Sequence, residues 1–250
     1  VPPRASTQMR DPREYKELAN ELWKRGLCIW LPTSAIFSPG GIPVISGLFG
    51  VEKPKCVPGH PDLQQLRLIC NLVPCNSYFR VIRGDIDGLP YALQWNAIVL
   101  LDDEFLLISQ EDMTCAFYLF KLPAAWAKYF AIGQPVRLDE LKGNPAQRSA
   151  SLKAAKGHDC SGLGHLCLIT LPLGWASATG VMQAVHRAIL VRKPGKGEPL
   201  PTASEIRKTS VLPTEADQRF HRGWQVYLDN FALLNVTQRA HLERAQVEVD

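Results

Sequence analysis

Trp224-Gln225-Val226-Tyr227-Leu228-Asp229-Asn230-Phe231-Ala232-Leu233-Leu234 reads as two apolar strands meeting at a tight turn, with an acid and an amide at the tip. Asp and Asn tolerate the backbone angles of a short hairpin turn, so the segment alone predicts only a hairpin over Gln225 to Leu234. Its partners along the chain decide what the hairpin is for.

Working outward, Thr237 to about Val247 has the pattern of a closing amphipathic helix, and Lys193 to about Arg219 reads as a soluble insertion. Before it, His165 to Thr170 is predicted as a strand. Ala176 to Leu190 is predicted as a helix with Val181, Val185 and Leu190 inward. Residues 138–164 are polar and small and are expected to form an insertion or mobile loop. Phe105 to Asp112 reads as a buried strand, followed by a helical turn through Cys115, Ala116 and Phe117. Asp87 and Gly88 precede an expected helix to about Ala97. Leu48 to Lys53 and Leu66 to Leu72 form two strands of a long hairpin joined by a Pro/Gly/Lys-rich connection, and residues 38–47 are a loop. At the start, Asp11 caps a helix from Pro12 to about Lys24, with Tyr15, Leu18, Leu22 and Trp23 as its apolar stripe. Gly26 stops that helix, and Leu27 to Leu31 is a short strand. Strands and helices in this order give the α+β class.

Bulk properties set outer limits. The chain has 250 residues, 46% hydrophobic and 21% charged, enough to bury a core. A net charge of +4 tolerates nucleic acid as a partner without demanding it. Seven cysteines without a framework point to a reducing intracellular setting, cytoplasm or nucleus. No apolar run approaches the roughly 20 residues of a membrane helix, so no membrane partner is expected. The chain opens on Val1 rather than Met, which suggests a fragment.

Three segments carry the chemistry together. Ser109-Gln110-Glu111-Asp112-Met113-Thr114-Cys115-Ala116-Phe117-Tyr118 is a strand ending in a carboxylate. Leu171-Pro172-Leu173-Gly174-Trp175-Ala176 is a strand and a glycine turn before a helix of small residues. Tyr227-Leu228-Asp229-Asn230 is the hairpin tip. In this order they resemble the palm motifs of reverse transcriptases: an aspartate followed by an alanine–aromatic pair, a Leu-Pro-x-Gly-x turn, and a Tyr-x-Asp-Asp hairpin. Arg67-Leu68-Ile69-Cys70-Asn71-Leu72-Val73-Pro74-Cys75-Asn76 is similar to the fingers strand of that family, and Phe49-Gly50-Val51-Glu52-Lys53 to the opposing fingertip strand.

The resemblance implies a right-hand polymerase made of fingers and palm, the palm a ferredoxin-like antiparallel sheet with helices on one face. Residues 1–100 would be the fingers-like region and residues 101–250 the palm, with insertions near 138–164 and 193–219 and without thumb or nuclease domains. Implied catalytic residues are Asp112, Asp229 and Asn230. Asp112 and Asp229 would be ligands of two Mg²⁺ (or Mn²⁺) ions about 4 Å apart. Implied nucleotide-binding residues are Lys53 and Arg67 for the triphosphate, Phe117 beneath the sugar, Gly174 and Trp175 at the nucleotide and template, and Gln183 near the template strand. The implied partners are an RNA or DNA template with its primer, and a dNTP; the oligomeric state is left open.

Asn230 departs from the family pattern, which has a second aspartate there, and an amide brings no charge to balance dications. Asn71 and Val73 replace positions that are often acidic and basic. These departures keep open a catalytically inactive retroelement remnant with the palm fold and weak nucleic-acid binding. A zinc site from His158, Cys160, His165 and Cys167 is a reading of a different class. A hydrolase elbow at Asp159-Cys160-Ser161-Gly162 lacks the glycine two before the serine.

Overall fold

The computed structural model describes residues 3, 5, 7, 12–192 and 198–241. In chain order its helices and strands are α1 (Pro12–Lys24), β1 (Cys28–Pro32), β2 (Gly47–Val57), β3 (His60–Asn71), α2 (Val73–Asn76), β4 (Glu104–Asp112), α3 (Ala116–Leu119), β5 (Ala131–Arg137), α4 (Pro145–Ala154), β6 (Leu163–Leu168), α5 (Ala178–Val191), β7 (Arg222–Tyr227) and β8 (Asn230–Gln238). Helices and antiparallel ladders are mixed, which is the α+β class the sequence predicts. The chain divides into two compact units, one of residues 1–81 and 117–178, the other of residues 82–116 and 179–250.

In the first unit, α1 buries Tyr15, Ala19, Leu22 and Trp23, one face at helical spacing. Gly26 (φ +66°) ends it: its N–H donates to the Trp23 carbonyl and that of Leu27 to the Leu22 carbonyl, a glycine C-cap that satisfies two terminal carbonyls. The sheet β1–β6–β5 is antiparallel throughout, with Trp30 opposite Leu166 and Ala131 opposite Cys167. Ile29, Leu31, Ile36, Ala127, Ala131, Ala155 and Cys167 form a shared apolar core. The Trp30 ring is fully buried, and its indole N–H donates to the Val136 carbonyl at 3.0 Å. Among the described residues β2 and β3 pair only with each other, a long hairpin rooted in buried Leu48 and Cys70 and turning at Gly59 (φ +78°).

In the second unit, β4, β8 and β7 form an antiparallel sheet in that order. Ile206, Phe220, Ala232 and Leu234 make its core, with Trp95, Ile98, Leu106 and Val236 against them. Buried Glu205 accepts from Arg187 of α5 at 2.6 Å, and Arg207 bridges Glu205 to Asp85. These ion pairs tie α5 to two irregular segments.

Several expectations change. Residues 138–164 are not a loop: they hold α4, capped by Asn144, whose side chain accepts from the Gln147 N–H. Ser151 on α4 is buried and accepts from the Trp30 N–H at 2.9 Å. β5 is a strand that the sequence reading does not assign. β4 is not buried: from Leu107 to Asp112 its residues are exposed. In α5 the inward residues are Ala178, Met182, Gln183 and His186, whereas Val185 is exposed and Val181 and Leu190 are half-buried. The fingertip strands continue through Pro54 to meet near Gly59, which an isolated two-stranded ribbon permits because both strands are edges. The expected helix before Ala97 is two short 3₁₀ turns. The soluble insertion delivers Glu205 and Ile206 to the interior.

The expected single ferredoxin-like sheet is not seen among the described residues, since β6 pairs with β1 and β5 instead of lying beside β4. β8 continues through Gln238 and the chain turns helical at Arg239. The rest of the helix expected to Val247, and the Asp11 cap, lie outside the described residues. Among those residues no helix is long and apolar enough to cross a membrane.

Candidate active site

The β7–β8 hairpin turns on Leu228 and Asp229, between paired Tyr227 and Asn230. Leu228 takes φ +57°, a left-handed conformation that side chains with a Cβ rarely adopt. Two side chains of α5 hold it. The Gln183 amide, 2% exposed, donates to the Val226 carbonyl at 2.9 Å and accepts from the Leu228 N–H at 2.8 Å. The His186 ring, 6% exposed, places Nδ1 2.7 Å from the Leu228 carbonyl. Both polar groups of the Leu228 residue are therefore bonded from behind the turn.

Asp112 ends β4 directly opposite Asn230 of β8, and the next residue, Met113, donates its N–H to the Asp229 carbonyl at 3.0 Å. The register thus brings the strand-end acid beside the hairpin-tip acid. Asp112 and Asn230 are exposed and Asp229 is half-buried. Asn230 Nδ2 stands 3.5 Å from Asp229 Oδ1, a long contact. Among the described residues neither carboxylate is held in an ion pair. An open hollow of about 300 Å³ adjoins the tip, lined by Gln110, Gln225, Tyr227, Asn230, Phe231 and Ala232. Two uncommitted carboxylates and an amide oxygen make a hard donor set. Three such groups would not close a metal cage by themselves; a Mg²⁺-type ion held by them would keep most of its shell as water or phosphate oxygens.

The remaining nucleotide candidates lie in the first unit, except Gln183. Gly174 has φ +109°, and a Cβ there would stand 2.0 Å from the Cys70 carbonyl oxygen, so only glycine fits. Cys70 N donates to the Leu173 carbonyl at 3.2 Å. Asn76, closing the fingers-like strand motif, brackets the same turn: its Nδ2 donates to the Gly174 carbonyl and its Oδ1 accepts from the Ala176 N–H, both at 3.0 Å. The Trp175 ring is buried edge-on against Trp126 and Phe130, at 6.0 and 5.4 Å between centroids, so this turn offers backbone outward. Phe117 is half-buried at the start of α3. Arg67 is exposed and Lys53 half-exposed. Arg67 is paired with Val51, and Lys53 follows Glu52, the last residue in regular register, where the ladder becomes irregular.

The sequence reading missed His186, and it placed Gln183 towards a template where the structure puts its amide on the hairpin backbone. Nothing in a small-residue helix marks either as a clamp before the register is known. The zinc reading finds no support: His165 and Cys167 are buried within β6, His158 Nδ1 lies 3.1 Å from Ser34 Oγ, and no group of three or more potential ligands exists among the described residues. Burial pushes the Cys70 and Cys75 thiols up to about 12, which disfavours the thiolate form at both.

No family model matches the chain, and no curated protein does. It is similar to a solved structure of the foamy viral protease–reverse transcriptase dRH in complex with double-stranded DNA, with a TM-score of 0.50 and 13% identity. The match covers 96% of this chain and 29% of that one, so this chain spans less than a third of that protein's length. At this identity the likeness concerns the fold.

Proposed function

We propose that the chain is the nucleotidyl-transfer portion of an RNA-directed DNA polymerase of a retroelement, built as a right-hand fingers-and-palm fold. The observation that carries this reading is the register at the tip: Asp112 faces Asn230 across the β4–β8 ladder, beside Asp229. The fold likeness to a reverse transcriptase supports it.

In this reading Asp112 and Asp229 hold Mg²⁺ or Mn²⁺. Bound there, the ions would lower the pKa of a primer 3′-hydroxyl and neutralise charge on the leaving pyrophosphate. The chain's own groups do the rest. Lys53 and Arg67 neutralise the triphosphate of the incoming dNTP, Lys as a point charge and Arg as a fork of donors. Phe117 excludes a 2′-hydroxyl by bulk, and the Gly174 turn presents backbone to the nucleotide. Template RNA or DNA with its primer is the partner, and the foamy viral neighbour was solved with double-stranded DNA.

Asn230 weakens the charge balance of such a site, because its oxygen can touch a cation or water without countering its charge. Asp112→Ala is expected to abolish primer extension, and Asn230→Asp to preserve or raise it. A loss of existing activity in Asn230→Asp would overturn the assignment of Asn230 as a weakened ligand. The same residue favours one second reading, a catalytically inactive copy that keeps the fold and weak nucleic-acid binding. That reading predicts no extension in wild type or in Asn230→Asp.

A further inference from the structure

We propose that His186 is a positioning residue that holds the hairpin tip in its metal-binding shape. This rests on the polymerase reading above and adds to it a residue that the motifs do not include. Leu228 sits in a left-handed conformation that a leucine does not choose unaided (φ +57°), and Asp229 follows it directly. Rotation of the Leu228–Asp229 peptide would re-aim the Asp229 side chain. That peptide's carbonyl is the one His186 Nδ1 meets at 2.7 Å, while Gln183 holds the N–H on the other side of Leu228. Both clamps are buried on α5, one helical turn apart, so the turn is fixed from inside the protein before any cation arrives.

The geometry also sets the histidine tautomer. A carbonyl oxygen only accepts, so Nδ1 must carry the hydrogen. Asparagine places an amide nitrogen at nearly the same position as Nδ1, which makes His186→Asn the conservative replacement and His186→Ala the disruptive one.

The experiment compares wild type, His186→Asn, His186→Ala and Asp229→Ala by Mn²⁺ titration, ¹⁵N NMR of the histidine rings, and hydrogen exchange at the Leu228 amide. The expected results are an Nδ1–H signal for His186, faster Leu228 exchange in His186→Ala, and Mn²⁺ affinity about 10- to 100-fold weaker in that variant. His186→Asn restores both properties, which a general loss of folding would not allow. An unprotonated Nδ1, or unchanged Leu228 exchange and Mn²⁺ affinity in His186→Ala, would overturn the proposal. Failure of the metal reading has its own signature, Mn²⁺ binding indifferent to Asp229→Ala. The tautomer and exchange results then still decide whether His186 fixes the tip.

Discussion

Two polar side chains of this protein, buried Gln183 and half-buried Asn76, are committed to backbone groups at both ends of their amides, whereas a buried histidine is not. Gln183 uses both ends of its amide on the β7–β8 turn, and Asn76 uses both ends of its amide on the Gly174 turn. Each motif turn is thus braced by a side chain from elsewhere in its own unit. His165 differs: it is 4% exposed, and its Nδ1 has no partner among the described residues. Burial holds its pKa below the usual histidine value, since charging the ring there means desolvating it, although bonds to the Gly133 and Ile132 backbone pull the other way. With a folded pKa below the unfolded one, the unfolded chain binds this proton more readily. Stability is therefore lost as pH falls through about 6.5. Urea unfolding at pH 7 and pH 5 is expected to show a larger acid-side loss in wild type than in His165→Gln. Equal losses would mean that His165 takes up its proton equally in the folded and the unfolded chain.

At the scale of elements, α1 was legible because its end signals are local: Pro12 at the first position and Gly26 just past the last turn. The β7–β8 hairpin was legible for the same reason. α4 was missed although Asn144-Pro145 is a capping signal, because its exposed Ala, Ser and Lys residues carry almost no amphipathic stripe. The run Phe105 to Ile108 reads as a buried strand, but Leu107 and Ile108 are exposed, and whether another layer covers a strand is a fact no local pattern encodes. The Gly174 turn joins sequence to packing tightly. Its left-handed φ and the Cys70 carbonyl where a Cβ would stand leave no room for alanine. Gly174→Ala is expected to destabilise the fold by about 3 kcal/mol, through strain and displacement of the β3 end. Denaturant melting measures this, and a change below about 0.5 kcal/mol, typical of a neutral surface site, would contradict the assigned geometry.

For the whole molecule, the chain crosses three times between two units, so residues adjacent in a motif list belong to different bodies. Asp112 and Asp229, far apart in sequence, share the second unit and one sheet, whereas Gly174 and Trp175 belong to the first. The ordered trio gave the candidate acids from the sequence. What it could not give was the strand order, because pairing between distant segments depends on packing rather than on local periodicity. We propose that this arrangement performs RNA-templated DNA synthesis. The most direct measurement is primer extension on poly-rA with an oligo-dT primer, in Mg²⁺ or Mn²⁺, supplying dTTP or UTP to wild type and to Asp112→Ala. Incorporation of dTTP in preference to UTP, lost in Asp112→Ala, is expected. Absence of incorporation by folded wild-type protein that binds the primer–template would contradict the proposal.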